Sequence, residues 1–252
     1  MPKLTALVLT ALLFVAAVTV SADGETQPKM SDIAPVENFT SAADEKIVAL
    51  QKYVATPEAF DKSARKLKRD AGMVAILAQV IAEHDQESPA KQSAVPLRNA
   101  AIKLAEAKTL EDATQSLKEL QQAQAGKETG GDVSMDWAQL IKFDSLMNEV
   151  ALRNRSVGRA VRKMRRGLDQ TARDEVANDA DILAVLAMVA VADTHPVKDK
   201  ATIAGWINYA NEQRTAAIAT AAAFRKNDGQ GAKTAYTRLA KSCSGCHKAY
   251  RK

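Results

Sequence analysis

Between Met1 and Ser242 the sequence has no cysteine; its two thiols, Cys243 and Cys246, stand within the last ten residues. Aromatic residues are scarce, 4% of 252, and alanine runs are frequent, which favours helices over a β-sandwich. Beyond Val20 no apolar run can cross a bilayer: the longest, Ile182 to Ala192, is eleven residues, the length of a buried helix. There is no Gly-rich phosphate loop, no HExxH and no nucleophile with a discernible base partner, so an enzyme is not expected. Nucleic acid is not an expected partner either, because no recognition motif occurs and aromatics for base stacking are few.

What is present begins with an export signal. Met1-Pro2-Lys3 precedes an uncharged apolar stretch from Leu4 to Val20, and Val20-Ser21-Ala22 offers a small-residue cleavage site, so residues 1–22 read as a signal peptide. The expectation is a periplasmic or otherwise exported protein with no membrane attachment after cleavage; the rival is an uncleaved anchor, since the 17 residues from Leu4 to Val20 are near the lower limit for a span. Residues 23–40 carry two prolines and no sustained period, and read as a linker. From Ser41 onward the spacing is helical: Ser41 to Ala55, then a helix started by Thr56-Pro57 and running to about Asp85, then one opened by a Thr109–Asp112 capping box and ending near Gln124. "AGKETGGDVS", 125–134, is the clearest internal boundary. Four further stretches follow, at about Met135–Met164, Thr171–Asp193, Asp199–Lys226 and Ala232 to the C-terminus, joined by short connections that make neighbours antiparallel. The expected fold class is all-α, two up-down helical bundles, one at 41–126 and one at 133–252.

The halves look related. "DAGMVAILA" (Asp70 to Ala78) and "DADILAVLA" (Asp179 to Ala187) agree at five of nine positions, the mark of a duplication or of two Ala-rich buried helices alike by composition. Setting Ala113 against Ala232 puts Gln124 opposite Cys243 and Lys127 opposite Cys246, so only the second half can perform cysteine chemistry. Charge divides likewise: residues 23–130 have 14 Lys and Arg against 17 Asp and Glu, and residues 131–252 have 20 against 13.

The chain ends in "SCSGCHKAYRK". Cys-x-x-Cys-His is the haem c attachment pattern. Two thiols add across the two vinyl groups of one porphyrin, and the adjacent histidine supplies an axial iron ligand. On a helix, 243, 246 and 247 share one face. A zinc site would need a fourth ligand; a thioredoxin-like dithiol follows a strand, and none is evident; a disulfide closing so small a loop would stabilise little. Haem c, one per chain and covalent, is the reading the pattern carries furthest.

A C-terminal helix ending Ser242, Cys243, Cys246, His247, Tyr250 and Arg251, fourth in a helical bundle, resembles the cytochromes c′ and their relatives. The resemblance covers about residues 133–252 and is specific in the last eleven. It implies His247 as the proximal ligand and Arg251 close to the proximal face. It also implies that the first helix of the bundle supplies either an apolar residue, leaving an open iron that binds or senses NO or CO, or a methionine, giving a six-coordinate electron carrier. Family bundles are often dimeric, so a homodimer is consistent with it.

In that first helix Leu140, Ile141, Met147, Val150 and Ala151 recur at helical spacing, which makes Met147 the candidate sixth ligand or a core methionine. Family members often carry an arginine four residues before the key position; here Phe143 stands there. Met73 and Met188 lie in the twin apolar helices and read as core; His195, in the loop "DTHPVK", reads as a solvated loop histidine with a sixth iron ligand as the alternative, and His84 as a polar residue at a helix end. The run Arg153, Arg155, Arg159, Arg162, Lys163, Arg165 and Arg166 contains no acid, and reads as a solvated helix end, as partners for haem propionates, or as a docking face for an acidic redox partner. The expected function is one-electron transfer; the alternative is a five-coordinate haem protein whose gas pocket is lined around Leu183 and Leu186.

Overall fold

The structure, a computed structural model, describes residues 29–251, with Arg165 described by its backbone alone. The expected signal peptide, 1–22, and the start of the expected linker lie outside the described residues. The fold is all-α. Among the described residues there are eight α-helices and no strand: α1 (Val36–Tyr53), α2 (Pro57–Glu83), α3 (Lys91–Glu106), α4 (Leu110–Gln124), α5 (Phe143–Lys163), α6 (Gln170–Ala192), α7 (Ile203–Arg225) and α8 (Gly229–Tyr250). No helix among them is long and apolar enough to cross a membrane.

Short polar side chains start four of these helices by accepting an N–H that the first turn cannot pair. Thr56 accepts from Ala59 ahead of α2, with Pro57 at the first helical position, and Thr109 accepts from Asp112 ahead of α4. Asp169 and Asp228 do the same for α6 and α8. Between α7 and α8 the chain reverses through Asn227 at φ 54°. There the N–H of Asp228 returns to the carbonyl of Ala223 at 2.9 Å, a helix end that favours Gly or Asn.

The reading of residues 23–40 as a linker needs correction from Met30 onward. Helix α1 starts at Val36, not near Ser41, and Met30, Ile33, Ala34, Val36 and Phe39 are all buried. This segment is tied to the end of α2. Ser31 donates its N–H to Asp85 Oδ1 at 2.9 Å and its hydroxyl to Oδ2, and Val36 N–H reaches Gln86 Oε1 at 3.2 Å. Those two bonds from Ser31 hold the Asp85 carboxyl down at about 2. His84 is buried beside Phe39; its Nδ1 accepts from Gln86 N–H, so Nε2 carries the proton and donates to the Ala34 carbonyl at 3.0 Å.

The start of helix α3 is marked by Ser88-Pro89, a polar side chain before a proline as at Thr56-Pro57, and Ser88 Oγ accepts from Ala90 N–H at 3.3 Å. Ala90 precedes it with no side-chain cap, and Pro96 stands inside it. A proline there leaves the carbonyl four residues earlier without its helical donor. That carbonyl, on Gln92, accepts from Gly130 N–H at 2.9 Å instead. The 125–134 connection is thus strapped across α3. Buried Arg98 donates to the carbonyls of Asp132 and Val133 at 2.9 and 3.0 Å, and Gln79 donates to Val133 at 2.9 Å. Gly131 has φ +118°, and a Cβ there would lie 2.5 Å from Val95.

Sequential helices pack together, α1 on α2, α2 on α3, α3 on α4, and α5 on α6, α6 on α7, α7 on α8, with α5 also against α8 and α2 against α5. The apolar core is continuous through both groups, and α2 and α6 are its most deeply enclosed members, with Met73 to Ala78 and Leu183 to Ala187 out of water. The helix expected from Met135 begins only at Phe143. A 3-10 turn at Trp137–Gln139 precedes it and lets Leu140 and Ile141 bury, Ile141 against Gly72, where a Cβ would be 2.6 Å away.

Charged groups join the halves at the same place. Glu149 of α5, 1% exposed, lies 3.1 Å from Lys46 of α1 and 2.9 Å from Arg153. Its Oε2 is 3.3 Å from Arg69 of α2 without hydrogen-bond geometry. Asp70 pairs with Lys46 and Arg69, each at 2.8 Å, and accepts from the Tyr53 hydroxyl. Arg153 continues to Asp179 of α6. Arg153 therefore leaves the solvated basic run: it is a structural cation inside this network.

Candidate functional site

Helix α8 presents a buried stripe, Ala232, Ala235, Leu239 and Ser242, and then continues for two more turns that carry the motif. Those turns are held against the start of α7 by aromatic side chains seated on glycines. Tyr209 packs on Gly245, where a Cβ would fall 2.6 Å from its ring, and the Tyr250 hydroxyl sits 2.7 Å from the Cβ position of Gly205. Ser242 donates to the Tyr209 carbonyl at 2.6 Å and Tyr250 to the Thr202 carbonyl at 2.7 Å. Trp206 donates to the Ala190 carbonyl at 2.6 Å and meets Tyr250 edge-on at 5.3 Å. Sequence reasoning missed this clasp. Its signal was present as two glycines inside helical stretches, each on a face that meets a tyrosine.

Cys243 and Cys246 are unpaired and half-buried, whereas His247 and Arg251 are exposed. Burial raises the Cys243 thiol, and burial followed by the neighbouring Cys243 raises Cys246 to about 11. Both are protonated at neutral pH. A working redox dithiol needs the opposite, a thiolate stabilised near neutrality. Among the described residues no three His, Cys, Asp or Glu side chains converge so as to hold a metal ion, so the cysteines and His247 do not form an ion cage. Covalent haem does not require that convergence, since its thiols bond to carbon and only the imidazole meets iron.

The register of α5 against α8 follows from two close approaches. A Cβ on Gly229 would be 3.7 Å from Met164, and one on Gly158 would be 2.3 Å from the Tyr236 hydroxyl, which donates to the Asn154 carbonyl at 3.4 Å. The helices are antiparallel, and at 1.5 Å per residue this register brings Met147 level with Cys246 and His247. Phe143, 5.9 Å from Trp206, falls at the level of Tyr250 by the same count.

Met147 differs from its expected position in one respect. The core-facing residues of α5 are Leu146, Val150 and Val157, and Met147 is half-buried one position round. It shares a stripe with Ala151, Asn154 and Gly158, the stripe that meets α8. Ala151 is exposed, not core. The seam is closed where Tyr236 lies on Gly158, but at the motif's level Ala151 and His247 are exposed and Met147, Cys243 and Cys246 half-buried. Asn154 Oδ1, one turn away, is buried without a hydrogen-bond partner. The last turn of α4 is closed on α1, with Gln124 donating to Asp44 at 2.6 Å.

Half-open thiols on one helical face with an imidazole beside them fit a covalently held haem. The other sequence candidates sit elsewhere or are engaged. Met73 and Met188 are buried in the core, as are Leu183 and Leu186. His195 is exposed, with Nδ1 hydrogen-bonded to Asp193 and its ring 5.5 Å from Phe143. Comparison of the chain with protein-family models, with curated proteins and with solved structures returns no match in any of the three.

Proposed function

We propose that this chain is an exported monohaem c-type cytochrome that transfers single electrons. The observation that carries the reading is Cys243-x-x-Cys246-His247 on one face of α8, with both thiols unpaired and half-buried at a seam where Ala151 and His247 are exposed. Cys243 and Cys246 would fix the group covalently, and His247 would be the axial iron ligand. Bound there, haem supplies an iron with two accessible oxidation states, which no side chain of the chain provides. The polypeptide's part is orientation. The Tyr209–Gly245 contact and the Tyr250–Thr202 hydrogen bond set the pitch of the motif's turns, and α5 sets what stands across from His247. Met147 is the side chain we assign there, with Arg251 at the exposed end.

The same reading accounts for the fold as two related bundles, the second of the cytochrome c′ kind. Pairing Lys46–Asp70 with Arg153–Asp179 aligns α1 with α5, so that Phe39, Ala43 and Leu50 correspond to Leu146, Val150 and Val157, all buried. Aligning Ala113 with Ala232 matches every buried residue of α4 except Leu117, whose counterpart Tyr236 is half-buried, to a buried residue of α8. On these alignments Asp44 corresponds to Ala151 and Gln124 to Cys243. Where the first half closes its seam with a hydrogen bond, the second has a small side chain facing a thiol. The last two turns of α8, and the first two of α7 that clasp them, have no counterpart in α4 and α3.

The test is the visible spectrum of the exported protein, reduced and then exposed to CO. A low-spin spectrum unaffected by CO marks the electron carrier, and Met147→Ala is expected to convert it to a CO-binding form. A high-spin spectrum that shifts with CO would replace this reading with the gas-binding one. Cys243→Ala with Cys246→Ala should abolish covalent haem, and retention by that variant would remove the proposal altogether.

A further inference from the structure

Beyond the attachment site, the outward face of α5 is unusual. Leu152, Arg155, Arg159, Arg162 and Lys163 follow at helical intervals, and Arg166 continues the line in the 3-10 turn after the helix; all are exposed. The stripe runs over 15 residues, Leu152 to Arg166, which at 1.5 Å per residue is about 20 Å. Among the described residues no acid lies within ion-pair distance of these five cations, in contrast to Arg153 on the inner face. By the α5–α8 register the Leu152 end is level with Cys243, and exposed Lys241, Lys248 and Arg251 of α8 extend the positive surface past the motif.

We propose that this face, from Leu152 to Arg166, docks an acidic protein surface. The proposal rests on the electron-carrier reading for its purpose, since the stripe starts beside the attachment site and a partner held there would face the haem edge. Five unpaired cations raise the local concentration of a carboxylate-rich partner and accelerate encounter, while a single exposed leucine at the end nearest the motif supplies an apolar contact. Arginine favours such a face because its planar fork binds carboxylates in pairs. A lipid surface fits less well, for an interfacial helix needs a broad apolar face, and Leu152 is the only large exposed hydrophobic residue on α5. The stripe also carries no aromatic residue on which a base could stack.

Charge of similar size exists in the first half, where Lys62, Arg65, Lys66 and Lys68 are exposed on α2. That run provides the control. Binding of a fluorescein-labelled poly-Glu peptide to the mature protein is followed by anisotropy at low and high ionic strength. Arg155→Gln, Arg159→Gln, Arg162→Gln and Arg166→Gln together should weaken binding by about tenfold or more at low salt and flatten its salt dependence. The same number of glutamines at 62, 65, 66 and 68 should weaken it by less than about threefold, the residue of a general net-charge effect. Equal weakening by both sets would overturn the proposal, as would binding to phosphatidylserine vesicles without binding to the peptide. Haem content is read from the absorbance of the same samples. Protein lacking covalent haem would refute the carrier reading, yet the two glutamine sets would still decide whether α5 is the docking face.

Discussion

Asp181 is a carboxylate almost wholly out of water with one cation beside it. Burial raises its pKa to about 6 although Arg225, bonded to both carboxylate oxygens, pulls the other way. A folded pKa above the unfolded one means that the native state binds this proton more tightly. The native state therefore gains stability from this group as pH falls from about 6 towards 4, and that gain is absent above about 6. Two units correspond to a contribution on the order of 2–3 kcal/mol. Asp70 has the opposite sign. Burial raises it, but the Arg69 hydrogen bond and the Lys46 charge prevail and hold it below the ordinary value, so its contribution is present at neutral pH and lost in acid. Urea unfolding followed from pH 7 to 4.5 should show a shallower gain, or a steeper loss, for Asp181→Asn than for the native chain. Superimposable profiles would mean that Arg225 cancels the burial. None of this is legible in sequence: Asp179 and Asp181 are two residues apart in one helix, and only packing separates a half-exposed partner of Arg153 from an enclosed one.

At the scale of the element, what the sequence made readable was whatever a helix decides locally. Thr56-Pro57 and Thr109 with Asp112 predict their caps because the cap is made by residues three apart. Helix α3 escaped although Ser88-Pro89 is a local start signal, because the proline inside it argues against a helix and is compensated from 34 residues away, by Gly130. The start of α1 escaped because Ser31, Ala34 and Val36 are ordered by Asp85, His84 and Gln86, not by neighbours in sequence. At the site, the Cys-x-x-Cys-His spacing was legible, while the clasp that shapes it was not. That clasp predicts a local effect. Tyr250→Phe removes one hydrogen bond, worth about 1 kcal/mol, and Tyr209→Ala removes the ring that Gly245 accommodates. Together they should raise amide exchange in residues 244–250 while leaving 232–242 of α8 protected. Uniform loss of protection along α8 would show that the extension is not held separately. The opposite substitution, Gly158→Ala, should cost about 1–3 kcal/mol by overpacking against Tyr236, and Tyr236→Leu should recover part of it.

For the whole molecule the question is why a half without thiols remains attached to the half that has them. Residue for residue the link is Glu149. It stands two positions after Met147, and its cations come from three helices, Lys46 on α1, Arg69 on α2 and Arg153 on α5. Asn38 of α1 adds a hydrogen bond to Asn178 of α6 at 2.9 Å, and Ile141 fills the space over Gly72. The first half thus grips α5 on the side away from α8, fixing the helix whose other flank faces the motif. Glu149→Gln takes one of two carboxylates from Lys46 and Arg69, which keep Asp70 at 2.8 Å, and leaves Arg153 with Asp179, so its cost should fall below the about 3–5 kcal/mol typical of a buried charge left with no partner. Removing Lys46 as well relieves part of that, so Lys46→Met and Glu149→Gln should be non-additive by about 1–3 kcal/mol. Because the apolar core is continuous across the halves, the native chain should unfold in one cooperative transition. In Glu149→Gln the second half should lose its brace and melt first, giving two transitions by calorimetry. A single transition displaced to lower temperature would mean that the apolar contacts alone unite the halves, and that the ion network merely occupies the boundary between them.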